Sequence, residues 1–100
     1  MQQKILSNCK VIGIENVSYE NYLGNIVSGA RVSFAAALPD TGMNEGVMVH
    51  YQWITSDKLP RDIGIGKYYD IAFNYDSQKG VKYFDKLMRP LNVVEFSFSC

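Results

Sequence analysis

The stretch "KYYDIAFNYDSQKGVKYFDKLM", residues 67–88, sets the period on which the fold reading rests. Lys67, Tyr69, Ile71, Phe73 and Tyr75 fall on one side, and Tyr68, Asp70, Ala72 and Asn74 on the other. A repeat of two is that of a β-strand. "DSQKG" (76–80) has the length and glycine of a hairpin loop. "VKYFDKLM" (81–88) then returns as a strand, with Val81, Tyr83 and Leu87 on one face and Lys82, Phe84 and Lys86 on the other. Val81, Phe84, Leu87 and Met88 also satisfy helical spacing, so one short helix stays open here.

Outward from that hairpin the same period recurs. In "EGVMVHYQWI" (45–54), Val47, Val49, Tyr51 and Trp53 alternate with Met48, His50, Gln52 and Ile54. In "NIVSGARVSFAAAL" (25–38), Ile26, Ala30, Val32, Phe34, Ala36 and Leu38 make an apolar face opposite Arg31 and Ser33. "KILSNCKVIGIENVSY" (4–19) is rich in β-branched residues and interrupted by Gly13, which predicts a long strand that bends or bulges there. "LNVVEFSFSC" (91–100) aligns Val94, Phe96 and Phe98 as a further strand. The connections "YENYLGN", "PDTGMNEG" and "SDKLPRDIGIG" carry turn chemistry. Five or six short strands without a long helix predict a mainly β fold, a small antiparallel barrel of OB-like type or a sandwich.

One hundred residues suit a single β domain spanning 1–100. Hydrophobic residues at 47% and charged residues at 20% are ordinary globular usage. The formal charge of zero argues against a protein held on nucleic acid by a bulk positive field. The charge is uneven, however. Residues 58–89 hold seven basic groups against four acids, and the rest of the chain carries the opposite imbalance. No apolar run approaches the ~20 residues of a membrane span, no signal-peptide core is present, and Cys9 with Cys100 makes no disulfide framework. The expectation is a cytoplasmic protein, bacterial or in a host cell, with no membrane partner.

Catalysis by Ser-His-Asp or Cys-His needs a base beside a nucleophile, and His50 is the only histidine. It reads as a surface or half-buried side chain. One histidine and two distant cysteines lack zinc spacing, so no metal and no cofactor are expected. "GIGK" (64–67) lacks the upstream glycine and the following Ser or Thr of a phosphate loop, and reads as a turn entering a strand. No catalytic residue emerges, and the chain is expected not to be an enzyme.

One combination points to a ligand. Single-stranded nucleic acid is held by aromatic rings on which bases stack, beside Lys and Arg that neutralise phosphates. In strand form, 79–89 sets Phe84 between Lys82 and Lys86, with Lys79 and Arg89 nearby. Tyr69, Tyr75, Tyr51 and Trp53, with Arg31, Lys58, Arg61 and Lys67, extend such a surface. The competing use of large rings is to fill a small core, and Tyr51, Trp53 and Phe73 are expected there. The alternative function is a protein-interaction module, a small inhibitor, adaptor or oligomer subunit, that uses the 67–89 hairpin or a sheet edge.

The run "LPRDIGIGKYYDIAFNYDSQKGVKYFDKLMRP" resembles in layout the C-terminal half of small phage and plasmid single-stranded DNA-binding proteins of the gene V type. A loop ending in glycine is followed by an aromatic strand, a glycine turn and a last strand with leucine and basic residues. The resemblance covers about a third of the chain. It implies an OB-like five-stranded barrel, a phage or mobile-element protein, a homodimer, and single-stranded DNA binding without enzymatic reaction.

Overall fold

The computed structural model describes residues 2–38, 42, 46–90 and 93. These form five strands, β1 (Gln2–Glu20), β2 (Ile26–Ala37), β3 (Val47–Thr55), β4 (Tyr68–Asp76) and β5 (Val81–Met88). All neighbours are antiparallel, in the order β3-β2-β1-β4-β5. Residues 81–88 are thus strand, and no helix occurs among the described residues, hence none long and apolar enough to cross a membrane. The strand expected at 91–100 lies, apart from Val93, outside the described residues.

β1 serves two partners. Its first half pairs with β4, from Gln2↔Tyr75 to Lys10↔Tyr68, and its second half with β2, from Lys10↔Ala35 to Glu20↔Ile26. Two bulges bend it. Ile12 is unpaired between Val11↔Phe34 and Gly13↔Ser33, where Gly13 predicts the irregularity. The other sets Ser7 and Asn8 against Asp70, between Leu6↔Ile71 and Cys9↔Tyr69. Asn8 takes φ 56°, a left-handed conformation that asparagine tolerates better than most side chains. Its N–H donates to Asp70 Oδ1 at 2.8 Å. Each extra residue shifts the alternation by one, so Leu6, Cys9, Val11 and Ile14 all face inward despite uneven spacing.

The sheet is strongly curled. On a flat sheet β3 and β4 would stand about 14 Å apart, three spacings of ~4.8 Å, yet the His50 and Phe73 rings meet edge to face with centroids 5.5 Å apart. The inner face holds the core, in which Cys9, Val11, Val32, Phe34, Ile54 and Ile71 are wholly buried. β5 pairs only with β4 and β3 only with β2, so among the described residues the sheet does not close into a barrel.

β3 corrects one expectation. Its register with β2 places Met48, His50, Gln52 and Ile54 opposite Ala36, Phe34, Val32 and Ala30, on the core side. Tyr51, expected in the core, is 72% exposed on the outer face. Trp53 is half-buried on that face, 6.2 Å from the Tyr19 ring, lying over Gly29. Phe73 is in the core as expected.

Candidate nucleic-acid interface

At one end of the inner face the core gives way to rings topped by ammonium groups. Cross-strand register sets Lys4, Phe73 and Phe84 in one row, and Gln2, Tyr75 and Lys82 in the next. Lys82 Nζ lies 4.6 Å from the Phe73 centroid and Lys4 Nζ 5.5 Å from that of Tyr75. Lys58, from the β3–β4 connection, reaches across the open seam, donates to the Asp85 carbonyl at 2.9 Å and places Nζ 5.7 Å from the Phe84 ring. Phe73 and Phe84 meet edge to face at 6.5 Å, and His50 closes the inner side with Nε2 3.0 Å from Gln52 Oε1. All three lysines are exposed, and none has an acidic partner among the described residues. Cations over ring faces are attracted by the ring quadrupole. The cluster is therefore a positive rim over apolar planes.

The residues singled out from sequence separate into distinct places. Phe84, Lys82 and Lys58 meet on this rim. Phe84 is half-buried, packed against the core yet open to the rim. Lys86 does not flank it on the same face, as expected. β5 carries a bulge in which Phe84 pairs with Phe73 and Lys86 with Ala72, leaving Asp85 extra, so Lys86 turns to the outer face. The same bulge brings Phe84 and Leu87 inward together at a separation of three. That explains the helix-like spacing of this segment.

Lys67 and Arg89 gather elsewhere, both on Asp62 Oδ2, at 3.3 and 3.1 Å. Together with Tyr68, Tyr69, Pro90 and Val93 they line an open cleft of about 320 Å³. The hydrogen bond and charge of Lys67, aided by Arg89, hold the Asp62 carboxyl below its usual range. Tyr69 is buried rather than offered to a ligand, and burial, with Asp62 adding to it, raises its hydroxyl pKa. Arg31 is on the outer face, paired with Glu15 at 2.9 Å. Arg61 is exposed in the β3–β4 connection, and Lys79 is exposed in the β4–β5 turn, where its N–H donates to Asp76 Oδ1.

Lys4 belongs to the rim without having been singled out, and His50, weighed from the sequence only as a base and read as surface or half-buried, borders it half-buried. Lys4 reaches it only through pairing with a strand some seventy positions away, a relation that carries no local signal. Comparison of the chain with protein-family models, with curated proteins and with solved structures finds no match.

Proposed function

We propose that the protein is a non-enzymatic binder of single-stranded nucleic acid, and that the strand lies across the rim of Lys4, Lys58 and Lys82. The supporting observation is the alternation of three ammonium groups, without acidic partners among the described residues, with the half-buried Tyr75 and Phe84 rings and the Phe73 ring at the edge of the core. A phosphate draws the ammonium groups off their rings, and a base takes the freed face of Tyr75 or Phe84, the two of these rings that are only half-buried. Stacking is tolerant of sequence and contributes about 1–3 kcal/mol per base. The layout resemblance of residues 59–90 to gene V-type proteins agrees with this reading.

Fluorescence anisotropy of labelled oligo(dT) tests it. Binding at low salt is expected, weakened strongly in Lys58→Ala/Lys82→Ala and only slightly in Lys79→Ala/Lys86→Ala, which removes equal charge away from the rim. Equal losses in the two pairs, or no binding at low salt, would overturn it.

A second reading, a protein-interaction module, draws on the β1–β2 turn. Tyr22 is 95% exposed and Leu23 and Ile26 each 67%. The turn beneath them is braced, because Asn21 Oδ1 accepts from the N–H groups of Leu23 and Asn25 at 3.0 Å. Large apolar side chains held outward on an ordered turn suit a protein contact. Unchanged oligonucleotide affinity in Tyr22→Ser/Leu23→Ser would separate this feature from the rim.

A further inference from the structure

The two edges of the sheet are unequally protected. β5 is an edge broken by the Asp85 bulge and set with Lys82 and Lys86, devices that discourage strand addition. β3 has none of these. Val47–Thr55 contains no charged residue and no proline, and pairs with β2 through nine consecutive positions without a register shift.

Which backbone groups point to the open side follows from the hydrogen bonds that are made. Ser56 N–H bonds the Ser28 carbonyl at 3.0 Å, so the even positions of this strand face β2. The odd positions face away. The Thr55 carbonyl accepts from the Lys58 and Leu59 N–H groups, at 2.9 and 3.1 Å, and the Trp53 carbonyl from Gln52 Nε2 at 3.1 Å. That end of the edge is capped by its own chain. The N–H and carbonyl groups of Val47, Val49 and Tyr51 face the open side, with no backbone partner on another strand among the described residues.

We propose that this short edge pairs with the same edge of a second copy of the chain, antiparallel about a two-fold axis at Val49. Val49 then opposes Val49 of the second copy, and each Val47 opposes a Tyr51. All three positions have edge-directed groups, so each opposing pair exchanges both of its hydrogen bonds. The side chains of Val49, 42% exposed, and Tyr51 lie on the outer face, where each Tyr51 ring covers a Val47. A second copy is the occupant the edge fits because an isologous contact must be self-complementary. An uncharged, three-position run with residues of matching apolar character meets that condition without like charges facing one another. The union joins two five-stranded sheets into one, and is independent of what the lysine rim holds.

Sedimentation analysis across a concentration series, with hydrogen exchange read at single residues, tests the proposal. The expected result is a monomer–dimer equilibrium insensitive to salt, with the Val47, Val49 and Tyr51 amides protected only as the dimer forms. Val49→Lys brings two ammonium groups together at the axis and is expected to leave a monomer, while Val49→Thr keeps the dimer. Tyr51→Lys supplies the same test away from the axis should Val49→Lys fail to fold. A monomer throughout the series, or a dimer that survives both lysine variants, overturns it.

Discussion

Gly29 shows how much a single position can hold. A Cβ there would meet the Ile54 carbonyl oxygen, the Trp53 ring at 2.9 Å and the Thr55 Cα at 3.0 Å. Two of the three are backbone and have no room to yield. Gly29→Ala is therefore expected to lower unfolding free energy by about 1–3 kcal/mol, the usual cost of overpacking, with a change in Trp53 emission, both measurable in urea titration. Nothing in "IVSGARV" announces this need, because the indole arrives from β3. Cys9 presents a second test. Burial, reinforced by the charge of Asp70, pushes its thiol up to about 12 from an ordinary 9.0. The thiol donates to the Leu6 carbonyl at 3.4 Å and is wholly enclosed. The raised value favours the neutral form in the folded chain. Its contribution is fully present below the unfolded pKa and is lost as pH rises from about 9 towards 12. Stability should thus fall over that window more steeply in the native protein than in Cys9→Ala, as read from denaturant midpoints, and alkylation of Cys9 at neutral pH should require unfolding.

At the level of elements, the alternation of two that marks β2 and β4 was plain in the chain, and there the buried sets match the reading save for Ile26, which stands 67% exposed at the start of β2. β1 and β5 were less legible because a bulge changes which parity faces the core. Gly13 flagged one bulge. The Ser7–Asn8 and Asp85 bulges carry no such mark, and the Asp85 bulge made a strand resemble two helical turns. β3 misled for another reason, since both of its faces mix large rings with aliphatic residues and only pairing with β2 decides between them. Deletions expose the difference. Removing Ile12, the unpaired residue of its bulge, preserves Val11↔Phe34 and Gly13↔Ser33 and should leave a cooperatively unfolding protein. Removing Val32, which is paired on both sides, turns either Phe34 and Ala36 or Ala30 to the outer face and should abolish the fold. Far-ultraviolet circular dichroism through thermal unfolding distinguishes the two.

For the whole molecule, the zero net charge conceals how the charges are deployed. Seven basic groups between residues 58 and 89 suggested one positive flank. Folding spends Lys67 and Arg89 on Asp62, sends Lys86 to the outer face, and adds Lys4 from the opposite end of the chain to Lys58 and Lys82. The candidate site was hence legible in its residue types and only partly in its membership, because ion pairing and curl are properties of the folded sheet. This arrangement has a thermodynamic signature. If the three rim ammonium groups each neutralise one phosphate of a single strand, log affinity should fall with log salt at a slope of about −2, roughly −0.7 for each phosphate. Lys58→Ala/Lys82→Ala leaves Lys4 alone on the rim and should flatten that slope to about −0.7. Lys67→Ala, which removes a charge already committed to Asp62, should leave the slope nearly unchanged. Affinities for oligo(dT) at four or more salt concentrations decide the matter. A wild-type slope near zero would mean that the rim meets no phosphates. An equal flattening in all variants would mean that the field of the whole chain, rather than these three lysines, attracts the strand.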